Sequence, residues 1–224
     1  MIESRTRSKP PTAAPQSRGR GCLSGFILPP LVVLLFGAGM TTLAPDTRVS
    51  TLAAALPAGS SQLSPIFAAP VQYWSASILR WAAAAGLDPN LVAVVMQIES
   101  CGDPFARSSA GAIGLFQVMP YHFLPADDAY APDTNARRGL DYLRRSLGAA
   151  DNDIQIALAG YNGGLGVISR PTAFWPAETA RYAYWGLGIY QDAQAGAPMS
   201  RRLQEWLAAG GAGLCTRAGL QLQL

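Results

Sequence analysis

From Val71 onward the sequence is punctuated as helices are, and never as strands are. Gly86 closes VQYWSASILRWAAAAG, and Asp88 with Pro89 follows at once as a helix cap and a first-turn proline. Asp133 or Thr134 is placed to cap NARRGLDYLRRSLG, Asp151 to Asp153 precede IQIALAGYNGG, Pro176 opens AETARYAYWGLGIYQDAQAG, and Ser200 opens RRLQEWLAAGG. No run alternates apolar with polar residues, and no internal repeat is visible. The expectation is one all-α domain of about 150 residues. A long irregular segment, Cys101 to Pro132, interrupts the helices, and ordered loops of that length usually carry function.

The first 70 residues read differently. Residues 1–20 hold Arg5, Arg7, Lys9, Arg18 and Arg20 against Glu3 alone, a basic tail expected in the cytoplasm. An uncharged apolar run, 21–45, follows, as in a membrane anchor or an export signal, and it predicts everything beyond residue 45 outside the cytoplasm, in the cell envelope. Pro29 and Pro30 interrupt the run. Pro45, directly after the small-residue site Thr42-Leu43-Ala44, favours a retained anchor over a cleaved signal. Residues 46–70, rich in Ala, Ser, Pro and Leu, read as a linker, leaving 71–224 as the catalytic candidate with a C-terminal helical tail. From Asp46 onward 12 arginines face 13 acids. No basic stripe of the kind that gathers phosphate backbones is left, so nucleic acid is not an expected partner.

The chain has four glutamates, and one of them, Glu99, ends the helix LVAVVMQIE. Its spacing from Val95 and Met96 puts the carboxyl on an apolar face. Burial, and secondarily the negative end of the helix, would raise its pKa and make it a general acid. Periodicity alone leaves a solvated helix-end residue equally open. Farther on, Gly111 and Gly114 permit close backbone approach, Gln117 carries an amide suited to sugars, and Tyr161-Asn162 stand at a helix end beside two glycines. His122, the only histidine, argues against a multi-histidine metal site and reads as a loop residue. No metal and no cofactor is expected. The five tryptophans read mainly as core, with Tyr121 and Phe123 as better groove candidates. A conventional two-carboxylate glycosidase would need Asp103, Asp127, Asp128 or Asp133 within about 5 to 9 Å of Glu99.

Taken in order, Glu99-Ser100, Ser108, Gly111-Ala112, GLFQ at 114–117, Pro120, YNGG from Tyr161, and ETARY from Glu178 to Tyr182 resemble a lytic transglycosylase. The similarity is to the soluble-lytic-transglycosylase-like domain, grouped with goose-type lysozymes, and spans about residues 71–190. It implies a lysozyme-like helical fold and cleavage of peptidoglycan glycan strands between N-acetylmuramic acid and N-acetylglucosamine, leaving 1,6-anhydro-muramoyl ends. It also implies roles. Glu99 is the acid and base, with Tyr182 close to it as a second catalytic residue. Ser100, Ser108, Gln117, Tyr161 and Asn162 would bind substrate, while Glu178 and Thr179 would be structural. Phe116 in place of the family's usual Met, and Gly160 in place of a common Ala, put groove shape in question. A goose-lysozyme-like hydrolase and an inactive glycan-binding module are the alternatives. Cys101 and Cys215, the only cysteines beyond the apolar run, are expected to pair in an oxidising compartment and tie the C-terminal tail beside Glu99.

Overall fold

The computed structural model describes residues 62–224. The expected basic tail, the apolar run and residues 46–61 of the expected linker lie outside the described residues. Within them the helices are α1 (Ala69–Tyr73), α2 (Ser75–Ala85), α3 (Pro89–Glu99), α4 (Pro132–Ala149), α5 (Ile154–Gly163), α6 (Ala177–Gln194), α7 (Arg201–Trp206) and α8 (Ala212–Leu222). Among the described residues there is no strand. Two isolated bridges, Arg107 with Ile113 and Ile113 with Val118, fold the long loop between α3 and α4 back on itself.

Local chemistry sets most of the boundaries. Gly86 stops α2 in the left-handed region at φ 66°. The Asp88 carboxylate accepts from the Asn90 and Leu91 amides to start α3 behind Pro89, Asp153 accepts from Ile156 to start α5, and Ser200 accepts from Leu203 to start α7. Two expectations give way. Trp74 divides the first helix into α1 and α2, donating its indole N–H to Gly102 O at 2.8 Å. At α4 the helix begins at Pro132 without a side-chain cap, and Asp133 accepts instead from Trp81 Nε1 and Arg80 Nη2, both at 2.6 Å.

Helix α3 is buried all round from Pro89 to Gln97, as expected of a helix with no polar face. It packs against α1, α2 and α6, while α5 bridges α4 and α6. Its deepest polar group, Gln97, is satisfied: Oε1 accepts from Ala68 N at 3.0 Å, and Nε2 lies 3.0 Å from Cys101 Sγ and 3.3 Å from Cys215 Sγ. Cys101 and Cys215 form a disulfide across 114 residues of sequence.

Residues 62–70 are not the linker the sequence predicts. Leu63 and Phe67 are only 8% and 4% exposed, and Ser64 N donates to Asn90 Oδ1 at 2.9 Å. Residues 62–68 show no helical period because side chains of α3 hold them, and Ala69 and Pro70 already open α1. The folded body therefore starts by Leu63, ahead of Val71.

Candidate active site

The loop between α3 and α4 carries half of the motif residues, and α4 holds it through Asn135. This side chain is 1% exposed; Oδ1 accepts from Phe116 N at 2.9 Å, and Nδ2 donates to Ile113 O at 2.8 Å and Ala129 O at 3.0 Å. The Asn135 side chain lies directly against Gly114. A Cβ on Gly114, whose φ is +75°, would fall 2.5 Å from Asn135 Nδ2. Tyr161 secures the same loop from α5, donating its hydroxyl to Phe116 O at 2.8 Å. Ser100 does so from the end of α3, donating to Leu115 O at 2.8 Å and accepting from Gly102 N at 3.0 Å.

Those bonds give two of the expected ligand residues a structural task. Ser100 is fully buried, and its hydroxyl is occupied by the protein. Tyr161 has its hydroxyl buried and bonded, with its ring packed at 5.6 Å edge to face on Tyr142. Neither presents a free polar atom to a ligand; both hold the loop that bears Gln117. The sequence marks these positions, but their backbone partners appear only once the loop has folded.

The loop, α3, α5, α6 and the C-terminal segment enclose a cleft of about 730 Å³. Glu99, Ser108, Gln117, Asn162, Glu178 and Tyr182 all reach it, so the structure brings together residues spread over 84 positions of sequence (99 to 182, inclusive). A smaller pocket of about 100 Å³, lined by Tyr121, His122, Tyr142 and Tyr161, shares Gln117 and Asn162 with it. Phe105 and Trp185 add aromatic surface to the large cleft, which the sequence reading did not foresee. Phe123 packs against the core and reaches neither cavity.

Glu99 is half-buried: its carboxyl is enclosed by protein on every side but the cleft. Desolvation pushes its pKa from 4.5 up to about 8, the Tyr182 hydroxyl works against that rise, and the nearby Glu178 carboxylate adds to it. Burial in turn pushes the Tyr182 and Tyr161 phenols well above their ordinary range, reinforced by the Glu99 charge. Tyr182 Oη is buried and meets no acceptor with full hydrogen-bond geometry. It faces Glu99 at looser range, close enough to bias the carboxyl. At neutral pH the cleft thus holds a protonated carboxyl beside a protonated phenol.

The polar groups along the cleft are complementary. Gln117 Nε2 donates to Ala106 O at 3.1 Å and Gly114 O at 3.0 Å, which fixes its orientation and leaves Oε1 as an acceptor. Asn162 Oδ1 accepts from the buried Thr179 hydroxyl at 2.9 Å, which leaves Nδ2 as a donor. Ser108 Oγ accepts from Ala112 N at 3.0 Å and retains its proton for an outside acceptor. Glu178, expected as a structural group, stands exposed in the cleft and makes no hydrogen bond among the described residues.

Among the aspartates considered as second carboxylates, only Asp103 reaches the cleft. Asp127 is paired with Arg137 and Arg138, and Asp133 with Arg80. The two departures from the expected motif lie away from ligand surface. Phe116 is fully buried against Trp81, edge to face at 6.1 Å, and Gly160 makes room for Ser146, whose Oγ would be 2.4 Å from a Cβ there.

The family model of the transglycosylase SLT domain matches residues 76–178. A protein named transglycosylase from Enterobacteria phage PRD1 is 39% identical over 114 residues, covering 50% of this chain and 40% of its own length. The match thus spans well under half of that relative. An inactive mutant of the lytic transglycosylase Slt from Pseudomonas aeruginosa aligns in structure at TM-score 0.46 and 23% identity, over 55% of this chain and 24% of that one. The matched segment runs from α2 through the start of α6 and includes Glu99, Gln117 and Asn162. Residues 76–178 of the chain are therefore similar to the transglycosylase SLT domain.

Proposed function

We propose that the chain is a peptidoglycan lytic transglycosylase with a lysozyme-like helical arrangement, in which Glu99 performs both proton transfers. The observation that carries this reading is the carboxyl held protonated near neutral pH at the floor of a polar cleft. Glu99 donates its proton to the glycosidic oxygen, and the bond from that oxygen to the muramoyl anomeric carbon breaks as positive charge builds there. The Glu99 carboxylate then removes the proton from that sugar's C6 hydroxyl, whose oxygen closes on the anomeric carbon. The N-acetylglucosamine fragment departs with the first proton, and Glu99 recovers the second. No water enters the product.

The rest of the cleft supplies position. Asn162 Nδ2 and Gln117 Oε1 offer one donor and one acceptor, the pair that an N-acetyl group's carbonyl and N–H would satisfy. Tyr182 steadies Glu99 in each charge state. Holding the C6 hydroxyl in line converts the second step into an intramolecular one, which favours it over attack by water. Exposure of the cleft to the cell envelope follows from the reading of residues 21–45 as an anchor or export signal, with 1–20 on the cytoplasmic side.

Hydrolysis in the manner of goose lysozyme is the second reading, kept by Asp103 and Glu178, either of which could direct a water. The experiment is digestion of purified peptidoglycan by the wild type and by Glu99→Gln. The variant is expected to keep its fold and to release no muropeptides; near-normal release from folded variant overturns the assignment of Glu99.

A further inference from the structure

The C-terminal segment lies wholly beyond the matched residues 76–178, yet it builds one wall of the cleft: Ala209, Leu214 and Arg217 face the same space as Glu99. This wall is fixed in place. The Cys101–Cys215 disulfide joins α8 to the chain two residues past Glu99, and Leu203, Trp206 and Ala218 are buried beneath it. Gly211 lies so close on Trp206 that a Cβ would fall 2.4 Å from its ring.

Three arginines, Arg107 from the loop, Arg181 from α6 and Arg217 from α8, open on the cleft. Arg80, Arg137, Arg138, Arg144, Arg145 and Arg202 are all in ion pairs, but these three have none among the described residues. Besides Glu99, which holds its proton near neutral pH, Asp103 and Glu178 are the carboxylates among the described residues that line the cleft with them, and Asp103 already accepts from Phe105 N at 2.9 Å. Three guanidinium groups thus face two carboxylates other than Glu99, and all three arginines are exposed, with planar donors open to an outside acceptor. Sugar hydroxyls are neutral, whereas a carboxylate matches the guanidinium fork in charge and shape.

Resting on the function proposed above, we propose that Arg217 is a specificity-determining residue that binds a carboxylate of the acidic stem peptide borne by the muramoyl lactyl group, so that the tail reads substituents of the glycan. Arg217 stands on the helix wall, apart from the residues that move protons. It selects which strands are held and leaves the rate of bond breaking alone.

The test uses the full chain on two substrates: purified peptidoglycan with its stem peptides, and the same material stripped of them by an amidase. The wild type is expected to show a lower KM on the stem-bearing strands, an advantage that shrinks with added salt. Arg217→Ala should raise KM on stem-bearing strands about three- to tenfold at unchanged kcat, and leave stripped strands unaffected, as the loss of one exposed charge-assisted contact implies. Arg217→Glu should raise it further, and Arg217→Lys should recover part of the loss. An equal effect on both substrates, or none on either, overturns the inference while leaving the catalytic reading intact. A wild type inactive on both substrates overturns the catalytic reading and this inference with it.

Discussion

The proton on Glu99 has a consequence for stability that can be measured without any substrate. The folded protein binds that proton near pH 8 and the unfolded chain near 4.5. Between those values the native state holds more protons than the unfolded state, so stability falls as pH rises. The contribution is fully present below about pH 4.5 and is lost as pH passes through about 8. The limiting slope is about 1.4 kcal/mol per pH unit, and the full window allows at most ~5 kcal/mol. Because the carboxyl opens on the cleft, water recovers part of that penalty and the total is smaller. Glu99→Gln replaces the carboxyl by a neutral group of the same size, and the slope should vanish with it. The assay is urea unfolding of both proteins, with the disulfide intact, from pH 5 to pH 9. Subtracting the curves cancels titrations the two share. The wild type should lose stability relative to the variant at each step from pH 5 to about pH 8, and the difference should level off above that. Parallel curves across the range would show that Glu99 is ionised near its ordinary pKa, and the general-acid argument would fail.

The two neighbours of Glu99 should move the alkaline limb of kcat in opposite directions: Tyr182→Phe removes the group that lowers its pKa and shifts the limb up, while Glu178→Gln removes a repelling charge and shifts it down. Limbs that move together would contradict this electrostatic account. Asn135→Ala leaves the buried Phe116 N and the part-buried Ala129 O without this partner, removes one of two donors to Ile113 O, and should cost about 2 to 4 kcal/mol in urea unfolding, with activity falling alongside; a loss under half a kcal/mol would show that α4 does not hold the loop. Cys215→Ser should lower stability by about 2 to 4 kcal/mol and raise protease susceptibility first in α8, and a thermal midpoint equal to the wild type's would show that the bridge does not constrain the tail.

What the sequence reveals here depends on how local the physics is. The starts of α3, α5 and α7 are legible because one carboxylate or hydroxyl caps amides two or three residues away. The position of Glu99 is legible because helical spacing fixes its face. Asn135 is not, since its partners lie up to 22 residues earlier in the chain, and nothing in NARRGLDYLRRSLG sets that asparagine apart from a surface residue. Motif spacing places Ser100 and Tyr161 near the site but cannot show that their hydroxyls face inward to Leu115 O and Phe116 O. Residues 63–68 look like linker because their order comes from Asn90 and Gln97 of another element. The wall formed by α8 is the same kind of case: cysteine pairing hints at it, but only packing shows that Arg217 faces the cleft.

The central claim is that one carboxyl transfers both protons and that the sugar's own C6 hydroxyl, not water, closes the reaction. Mass spectrometry of the muropeptides released from purified peptidoglycan in heavy-oxygen water tests it directly. The account predicts muramoyl ends one water lighter than reducing sugars, without heavy oxygen in the first-formed product. Reducing ends labelled with heavy oxygen at the anomeric position from the earliest time points would contradict it and assign the cleft to hydrolysis.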